Sequence, residues 1–242
     1  FSEKVFDQYI NTDFNKRFLI QADIDELYEL VIKQQFIDGE GQITRQDILP
    51  AYQQRILQDI IVSRPLKVVV DCGNGVAGPI VPVVLTQLGC TVIPLYCEVD
   101  GRFPNHHPDP SVESNLNDLQ QAVFDNKADI GLAFDGDADR FGMVTPDGTV
   151  VTGDILLAII GKELLTDGTA ERLGSTTIFQ EVFCGKIVGD TVKKYGGNLR
   201  MTRVGRESFV REVIEKNGLV AGEVSTHLLF KEYGTIEMPL AG

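Results

Sequence analysis

The sequence predicts an α/β protein with two consecutive domains, each built on a parallel or mixed sheet, behind a helical N-terminal segment. Two observations support this prediction. From Arg64 onward, short runs rich in β-branched residues alternate with helix-length amphipathic stretches, which is typical of β-α-β units. A chain of 242 residues with 43% hydrophobic content is also long enough to form one or two hydrophobic cores.

The N-terminal segment predicts two helices. In residues 23–36, apolar side chains recur every three or four positions behind an Asp23/Glu26 capping box. Glycines then interrupt the pattern, and a second amphipathic helix is predicted over residues 44–60. Pro50 must lie in the first turns of that helix, because proline in a helix interior breaks the hydrogen-bond ladder.

The remainder of the chain predicts alternating strands and helices, with no internal repeat at the level of residues. A hairpin is predicted over residues 141–152, with a turn at Pro146, Asp147 and Gly148. Strands are predicted over residues 67–71, 91–96, 129–134, 176–179, 198–203 and 219–221, and helices over residues 79–88, 113–126, 154–165, 185–195 and 207–217.

Residues 151–153 mark the predicted domain boundary, because the hairpin closes one set of strands and a new helix-strand alternation follows. We therefore divide the chain into residues 1–63, 64–152 and 153–242.

The charge balance excludes some classes of partner. With 22 basic and 35 acidic residues, the formal net charge is −13, the wrong sign for binding nucleic acid or an anionic membrane. No apolar run reaches the ~18–20 residues that cross a bilayer, and the first residues lack the order of a signal peptide. We expect a cytoplasmic protein. Because the first residue is Phe1, the chain is expected to be a piece of a longer protein or a processed form.

The cysteines predict no disulfide framework. No C-x-x-C pair occurs among the four cysteines, which are Cys72, Cys90, Cys97 and Cys184. A chain of this length does not need disulfide bonds to stay folded. We expect four reduced, buried thiols, and no basic neighbours indicate a reactive thiolate.

Asp135, Asp137 and Asp139 alternate directly after a strand of buried type. In an extended chain, at ~3.3 Å per residue, the outer two would stand ~13 Å apart, too far for one ion. They can share an ion only if the backbone curls, which the small residues Gly136 and Ala138 permit. Carboxylates gathered at ~4 Å would repel by ~4 kcal/mol per pair at an effective dielectric of about 20, and a divalent cation removes that penalty. The segment therefore predicts a Mg²⁺ site at the carboxyl end of a strand.

Two alternatives compete with this magnesium site. An EF-hand loop also begins D-x-D-x-D, but it requires Gly at position six and Glu at position twelve, where this chain has Arg140 and Pro146. The EF-hand is thus excluded. A polar loop that only caps strand ends stays open as the second alternative.

A glycine pattern supports a different function. Gly73, Gly75 and Gly78 match G-x-G-x-x-G between a strand and a helix, and Glu98 lies 20 positions after Gly78. This is the pattern of a nicotinamide- or nucleotide-binding oxidoreductase domain. A plain strand-to-helix turn produces the same glycines, and hydride transfer does not require a nearby aspartate triad.

Five tracts add a more specific signal. They are residues 67–75 (KVVVDCGNG), 95–101 (LYCEVDG), 103–110 (FPNHHPDP), 131–140 (GLAFDGDADR) and 222–227 (GEVSTH). Together they resemble the phosphomannomutase/phosphoglucomutase family, the alpha-D-phosphohexomutases.

The resemblance implies a fold and a function. Members of this family place four domains around one cleft and interconvert glucose or mannose 1- and 6-phosphates through a phosphoserine and a bisphosphorylated sugar. Residues 64–152 would be the second, magnesium-binding domain and residues 153–242 the third, sugar-contacting domain. Residues 1–63 would contain the end of the first domain and a linker helix. The parent would be a cytoplasmic phosphoprotein with Mg²⁺ as cofactor and glucose or mannose 1,6-bisphosphate as activator.

The resemblance also assigns the aspartate segment. Asp135, Asp137 and Asp139 would be the magnesium ligands, joined by an oxygen of the phosphoserine, and Arg140 would be a cation beside the phosphate. Magnesium would act as a Lewis acid on the transferring phosphoryl group.

The last of the five tracts would contact substrate. Glu223 and Ser225 would bind sugar hydroxyls, and His227 also matches the motif. Lys186 and Arg206 would substitute for the basic residues that usually bind phosphate in the third domain.

Several family features are missing from this sequence. It contains no Thr-x-Ser-His-Asn-Pro phosphoserine segment and no Arg-x-Ser-x-Thr phosphate clamp, so the first and fourth domains would be missing. Thr226 replaces a glycine beside the sugar, and Phe183 stands in the usual basic stretch. We therefore expect weak magnesium binding and no mutase turnover by the chain alone. A non-catalytic sugar-phosphate binding relative remains a third hypothesis.

His106 and His107 invite a metal-site interpretation as well. Neighbouring side chains on an extended chain point in opposite directions, so one ion cannot easily take both. A turn flanked by Pro104 and Pro108 is the favoured interpretation.

Overall fold

Two five-stranded sheets form the framework of the chain, and the computed structural model describes them within residues 21–36, 39–204, 206–234 and 236–237. Both sheets are mixed and carry helices, which confirms the predicted α/β fold class. Residues 1–20 lie outside the described part of the chain.

The first helix, α1, spans Gln21–Ile32, so Asp23 lies inside it and the predicted capping box at Asp23/Glu26 is wrong. Gln21 and Ala22 are good helix formers, and the helix therefore includes residues before Asp23.

The second helix, α2, spans Leu49–Asp59 and has Pro50 in its first turn, as predicted. It begins later than the predicted residue 44. Asp47 Oδ1 accepts a hydrogen bond from the Leu49 amide at 3.1 Å, so Asp47 forms a turn just before the helix.

The first unit, residues 67–151, contains five strands and two α-helices. Strands β1, β2 and β3 are parallel, and β4 and β5 complete the sheet as antiparallel strands in the order β2-β1-β3-β4-β5. The elements are β1 Lys67–Asp71, α3 Val81–Gln87, β2 Thr91–Leu95, a 3-10 turn at Glu113–Leu116, α4 Asn117–Asn126, β3 Ile130–Phe134, β4 Phe141–Val144 and β5 Val150–Val151.

The second unit, residues 153–237, repeats this topology. Its strands follow the order β7-β6-β8-β9-β10, again with three parallel strands and then two antiparallel ones. The elements are α5 Gly153–Thr166, α6 Thr169–Leu173, β6 Thr177–Glu181, α7 Lys186–Lys194, β7 Asn198–Thr202, α8 Arg206–Glu215, β8 Val220–Gly222, β9 Leu228–Phe230, a 3-10 turn at Lys231–Tyr233 and β10 Ile236–Glu237.

Among these α-helices and strands, three were not predicted from the sequence: α6, β9 and β10. Strand β9 consists of Leu228, Leu229 and Phe230, which are all buried, so it shows no polar-apolar alternation. Helix α6 has five residues and β10 has two, which is too short for a periodic pattern.

The packing divides into one central and two outer layers. The central cluster joins Val68 and Phe134 of the first sheet, Leu157 of α5, and Ile178 and Val220 of the second sheet. On the opposite faces, α4 covers the first sheet and α8 covers the second. Burial of these apolar faces, at roughly 25 cal/mol per Å², is the main force that holds the two sheets and their helices together.

Helix α2 contacts both units. Its Ile56 is fully buried in the central cluster. The guanidinium carbon of Arg55 lies 5.6 Å from the ring centre of Tyr233, which follows β9 in the second unit. Within the described residues, no helix is long and apolar enough to span a membrane.

In each unit the second strand lies on one side of the first strand and the third strand lies on the other side. The segments that leave these strands therefore run in opposite directions, and a crevice opens between β1 and β3 and between β6 and β8. Ligands of open α/β sheets bind at the carboxyl ends of the strands beside such crevices. The β3–β4 and β8–β9 loops begin at these two positions.

Candidate functional site

The aspartate loop, residues 135–140, joins β3 to β4 and curls as the magnesium hypothesis requires. The Ala138 amide donates to the Asp135 carbonyl at 3.3 Å, and Ala138 has a φ of +60°. One carboxylate oxygen from each of Asp135, Asp137 and Asp139 lies within 4.8 Å of the others. The tight turn therefore gathers three side chains that would stand far apart in an extended strand.

Arg140 compensates part of the negative charge of this loop. Its amide and its Nε donate to the two oxygens of Asp135 at 3.1 and 2.9 Å, and its Nη1 donates to Asp109 at 2.9 Å. Asp135 is 2% exposed, and burial raises the pKa of its carboxyl group despite these hydrogen bonds. A second positive charge near the loop would stabilise the ionised form further.

The three carboxylates fit a magnesium ion in their chemistry, and they lie close enough together to converge on one ion. Magnesium prefers hard oxygen ligands at about 2.0–2.1 Å, so opposite ligands stand about 4.2 Å apart. Among three octahedral ligands at least two pairs are adjacent, about 3 Å apart, so oxygens that lie within 4.8 Å of one another would draw closer around the ion. Asp137 is exposed and Asp139 is half-buried, so the site opens to solvent on one side.

The glutamate loop, residues 223–227, joins β8 to β9 and has a similar turn. The Thr226 amide donates to the Glu223 carbonyl at 3.1 Å, and Thr226 has a φ of +72°. Glu223 Oε2 accepts a hydrogen bond from Ser225 Oγ at 2.9 Å and lies 2.7 Å from His227 Nδ1. The structure thus brings together Glu223, Ser225 and His227, the three predicted sugar contacts.

The two loops meet across the boundary between the units. An isolated antiparallel bridge joins Arg140 to His227, and His227 Nε2 lies 3.3 Å from Asp139 Oδ1. Burial alone would lower the pKa of His227, but its hydrogen bond with Glu223 and the charge of Asp139 outweigh burial and raise it. The predicted metal ligands and the predicted sugar ligands therefore form one continuous polar surface.

Thr226 stands where the family motif has a glycine. The residue is 4% exposed, and its hydroxyl donates to the Ser225 carbonyl at 2.6 Å. The threonine is therefore packed inside the protein in a left-handed conformation that β-branched residues rarely adopt.

Of the two remaining predicted phosphate contacts, the structure describes the side chain of Lys186 only. The Nζ of Lys186 lies 2.5 Å from Asp190 on the same helix, and the Lys186 side chain is 85% exposed. The side chain of Arg206 lies outside the described part of the chain. Phe183 is 70% exposed at the carboxyl end of the second sheet, so an apolar ring occupies the place of the expected cation.

The glycine loop, residues 72–78, is packed tightly by its own neighbours. A Cβ on Gly75 would lie 2.8 Å from the Gly136 carbonyl oxygen, and one on Gly78 would lie 2.0 Å from the Cys97 carbonyl oxygen. The amide of Val76 donates to the Gly136 carbonyl at 3.1 Å. Close packing of Gly75 against the aspartate loop and of Gly78 against Cys97 thus explains these glycines, and no observation favours the oxidoreductase alternative.

Asp71 supports this loop and was not identified from the sequence. It is fully buried at the end of β1, where it accepts a hydrogen bond from the Gly73 amide at 2.8 Å and contacts His106 Nε2 at 3.0 Å. Burial raises the pKa of its carboxyl group. The other ring nitrogen of His106 lies 2.9 Å from the His107 carbonyl, which agrees with a structural turn.

Glu181 has the equivalent position at the end of β6. It is 6% exposed, and its Oε2 accepts a hydrogen bond from the Val224 amide at 3.3 Å. For Asp71, the signal in the sequence is an acidic residue at the last position of the predicted strand 67–71. Glu181 lies two residues beyond the predicted strand 176–179, so its place at the end of β6 became clear only from the observed strand.

The fold and the site define an α/β protein with a carboxylate metal loop beside a polar ligand loop, and comparison with known proteins identifies the family. The model described as Phosphoglucomutase/phosphomannomutase, alpha/beta/alpha domain II, matches residues 50–148, and that of domain III matches residues 152–237. The chain belongs to the alpha-D-phosphohexomutase family, as the five sequence tracts predicted.

Individual relatives support this identification. The Phosphomannomutase/phosphoglucomutase of Pseudomonas aeruginosa is 45% identical over 214 residues, which cover 88% of this chain and 45% of the relative. The Phosphoglucomutase of Neisseria gonorrhoeae is 42% identical over 212 residues, 86% of this chain and 45% of the relative. A crystal structure of a Phosphoglucomutase/phosphomannomutase family protein from Burkholderia thailandensis superimposes with a TM-score of 0.86 at 35% identity, covering 92% of this chain and 48% of that one. The chain spans about half the length of these relatives.

Proposed function

We propose that this chain supplies the magnesium loop and the sugar-contacting loop of a phosphohexomutase that interconverts the 1- and 6-phosphates of glucose or mannose. The observation that carries the proposal is the contact between the two loops. Three carboxylates within 4.8 Å of one another lie beside the Glu223, Ser225 and His227 cluster, with 3.3 Å between Asp139 and His227. A metal ligand set and a hydroxyl-binding set are thus adjacent, as transfer of a phosphoryl group on a sugar requires.

Asp135, Asp137 and Asp139 would hold the magnesium ion. When bound, the ion would supply the positive charge that stabilises a transferring phosphoryl group. Arg140 orients the buried ligand Asp135 by two hydrogen bonds. Its assignment as a cation beside the phosphate is part of the proposal.

Glu223 and Ser225 would position the sugar through its hydroxyl groups. A carboxylate accepts hydrogen bonds from two adjacent hydroxyls, and the serine hydroxyl both donates and accepts. His227 holds Glu223 at 2.7 Å and so fixes the direction of that carboxylate. Lys186 and Arg206 remain proposed phosphate cations.

The nucleophilic serine and the second phosphate clamp would come from first and fourth domains absent from this sequence. We place the proposed division at residues 63 and 152, so that residues 64–152 and 153–242 correspond to the second and third domains. The relatives are about twice as long as the chain, which supports a parent with further domains. A cytoplasmic location and activation by glucose or mannose 1,6-bisphosphate are parts of the proposal.

Calorimetric titration with Mg²⁺ and Mn²⁺ tests the metal site. We expect measurable binding that Asp137→Asn weakens at least about tenfold, because removal of one anionic ligand costs more than about 1.4 kcal/mol. Asp137 is exposed, so the variant should fold normally. The matched control is Asp125→Asn on α4, which changes the net charge equally but lies outside the aspartate loop. Equal affinities of the two variants would refute the assignment.

Mutase assays test the role of the chain. Purified residues 1–242 should not convert glucose 1-phosphate to glucose 6-phosphate, whereas a protein extended to include a serine loop and a phosphate clamp should. Turnover by the chain alone would show that the reaction does not need a serine loop and a phosphate clamp from other domains, and the proposal would be wrong. Binding of hexose phosphate by an extended protein that shows no turnover would instead support the non-catalytic hypothesis.

A further inference from the structure

Cys72, the first residue of the glycine loop, and Cys97 form a close pair of thiols. Cys72 follows β1, and Cys97 lies two residues beyond the neighbouring strand β2. The pairing of Asp71 with Leu95 brings them together, and their sulfur atoms lie 3.2 Å apart. The expectation of four buried thiols is wrong for Cys97, because this residue is partly exposed whereas Cys72 is fully buried.

The two thiols differ in their chemistry. The hydrogen bond between the two sulfur atoms lowers the pKa of Cys97 and outweighs the opposing effect of burial. The same hydrogen bond, together with burial, raises the pKa of Cys72. A thiolate is the reactive form of cysteine, and solvent access decides which thiolate reacts first. Cys97 is therefore the attacking residue and Cys72 the resolving residue.

We propose that Cys72 and Cys97 are a reversible redox site that a hydroperoxide oxidises to a disulfide. In the first step, the Cys97 thiolate attacks the terminal peroxide oxygen, the O–O bond breaks, and Cys97 becomes a sulfenic acid as the alkoxide leaves, or hydroxide when the oxidant is hydrogen peroxide. In the second step, the Cys72 sulfur attacks the Cys97 sulfur, the S–O bond breaks, and the Cys72 proton leaves with the hydroxyl as water. The peroxide is reduced by two electrons, and a dithiol reductant reverses the reaction.

The disulfide would lock the glycine loop. Cys72 begins this loop, and the Cys97 carbonyl contacts its other end at Gly78. Sulfur atoms at 3.2 Å need to move together by only about 1 Å to reach the ~2.05 Å of a disulfide. The loop in turn contacts the aspartate loop through the amide of Val76 and the carbonyl of Gly136, 3.1 Å apart.

Peptide mapping of the whole chain tests the proposal. Trypsin cleaves after Lys67 and Arg102, so Cys72, Cys90 and Cys97 share one peptide, and Cys184 provides an independent reference elsewhere. After brief exposure to hydrogen peroxide and then alkylation, this peptide should carry one alkyl group, on Cys90, and should have lost two hydrogen atoms. Dithiothreitol should restore three alkylation sites. Further cleavage with chymotrypsin after Leu88 and Tyr96 places the three cysteines on separate fragments and so identifies the linked pair.

Three variants sharpen the test. Cys90→Ser should form the same disulfide, whereas Cys97→Ser should abolish it. Cys72→Ser should leave a sulfenic acid on Cys97 that a dimedone probe captures. A link through Cys90, or a Cys97 that resists peroxide as well as buried Cys184 does, would overturn the proposal. Because the mapping uses the unmodified sequence, its result does not depend on whether a variant folds.

Discussion

The two units have the same strand order, but the third strand of the first unit, β3, extends further than the third strand of the second unit, β8. In the second unit, β8 pairs with β6 up to Gly222 opposite Gln180. In the first unit, Leu132 has the corresponding place opposite Val70, but β3 continues for two more residues to Phe134. At ~3.3 Å per residue, the aspartate loop therefore begins about 7 Å further beyond the sheet. This reach explains how the first loop extends to the second.

The turns themselves are closely similar. In each loop the amide of the fourth residue donates to the carbonyl of the first residue. This fourth residue, Ala138 in one loop and Thr226 in the other, has a positive φ. The final hairpins also correspond, with Gly148 at a φ of +85° and Gly234 at +81°. The same backbone thus carries two chemistries. One loop presents acids that suit a cation, and the other presents hydrogen-bonding groups that suit hydroxyls.

The largest expected difference between the units concerns glycines after their first strands. Gly78→Ala would place a Cβ 2.0 Å from a backbone carbonyl of Cys97, whereas Gly185→Ala would place one 2.5 Å from the movable carboxylate of Asp154. We expect Gly78→Ala to lower the free energy of unfolding by about 3 kcal/mol and Gly185→Ala by about 1 kcal/mol or less. Urea unfolding followed by circular dichroism measures both values.

Gly101→Ala is the control for that comparison, because a Cβ added at Gly101 would have no other atom within 4 Å and the residue has no positive φ. It should change stability by less than about 0.5 kcal/mol. If Gly78→Ala were as mild as this control, the close approach of the glycine loop to residue 97 would be disproved.

A smaller difference should separate two buried threonines of the second unit. Thr202 in β7 and Thr226 in the glutamate loop are both 4% exposed, but only Thr226 has a positive φ. Thr202→Gly should cost about 2 kcal/mol through lost burial and added chain entropy. In Thr226→Gly, relief of about 1–2 kcal/mol of left-handed strain should offset most of that loss. Thermal unfolding of the two variants tests this, and equal losses would contradict the strain at Thr226.

The sequence predicted much of this architecture because its signals were local. Strand β1 was predicted over the observed residues 67–71, since its valines lie between clear turn signals. The curl of the aspartate loop followed from the spacing of three acids and the reach of one ion. These inferences needed only neighbouring residues.

Other features required contacts between distant residues. The link between Asp139 and His227 joins two loops 88 positions apart, and no local pattern reports it. The repeat of the two units is visible in strand order but not in residues, because loops of similar shape carry different side chains. The exposure of Cys97 and its distance from Cys72 likewise depend on strand pairing.

The contact between the loops should contribute a modest coupling energy. Asp139→Asn, His227→Gln and the double variant form a thermodynamic cycle, measured by urea unfolding with a chelator present to exclude divalent ions. The side chains are 22% and 27% exposed, so we expect a coupling of about 1 kcal/mol, above that of most fully exposed pairs. Additive losses would show that the loops are neighbours without energetic coupling.

The smallest expected effect concerns Tyr233, which precedes Gly234 in the last turn of the second unit, as Asp147 precedes Gly148 in the last turn of the first unit. Burial and a hydrogen bond with Asp59 of helix α2 raise the pKa of Tyr233 to about 12. A raised pKa means that the folded state holds the proton more tightly, so this contribution to stability is complete below pH ~10 and is lost as the pH rises toward 12. The melting temperature of Tyr233→Phe should therefore fall less steeply than that of the unmodified chain across this range. Asp59→Asn should reduce the slope only in part, because burial is the larger cause. An unchanged slope in Tyr233→Phe would show that helix α2 does not hold the second unit through this phenol.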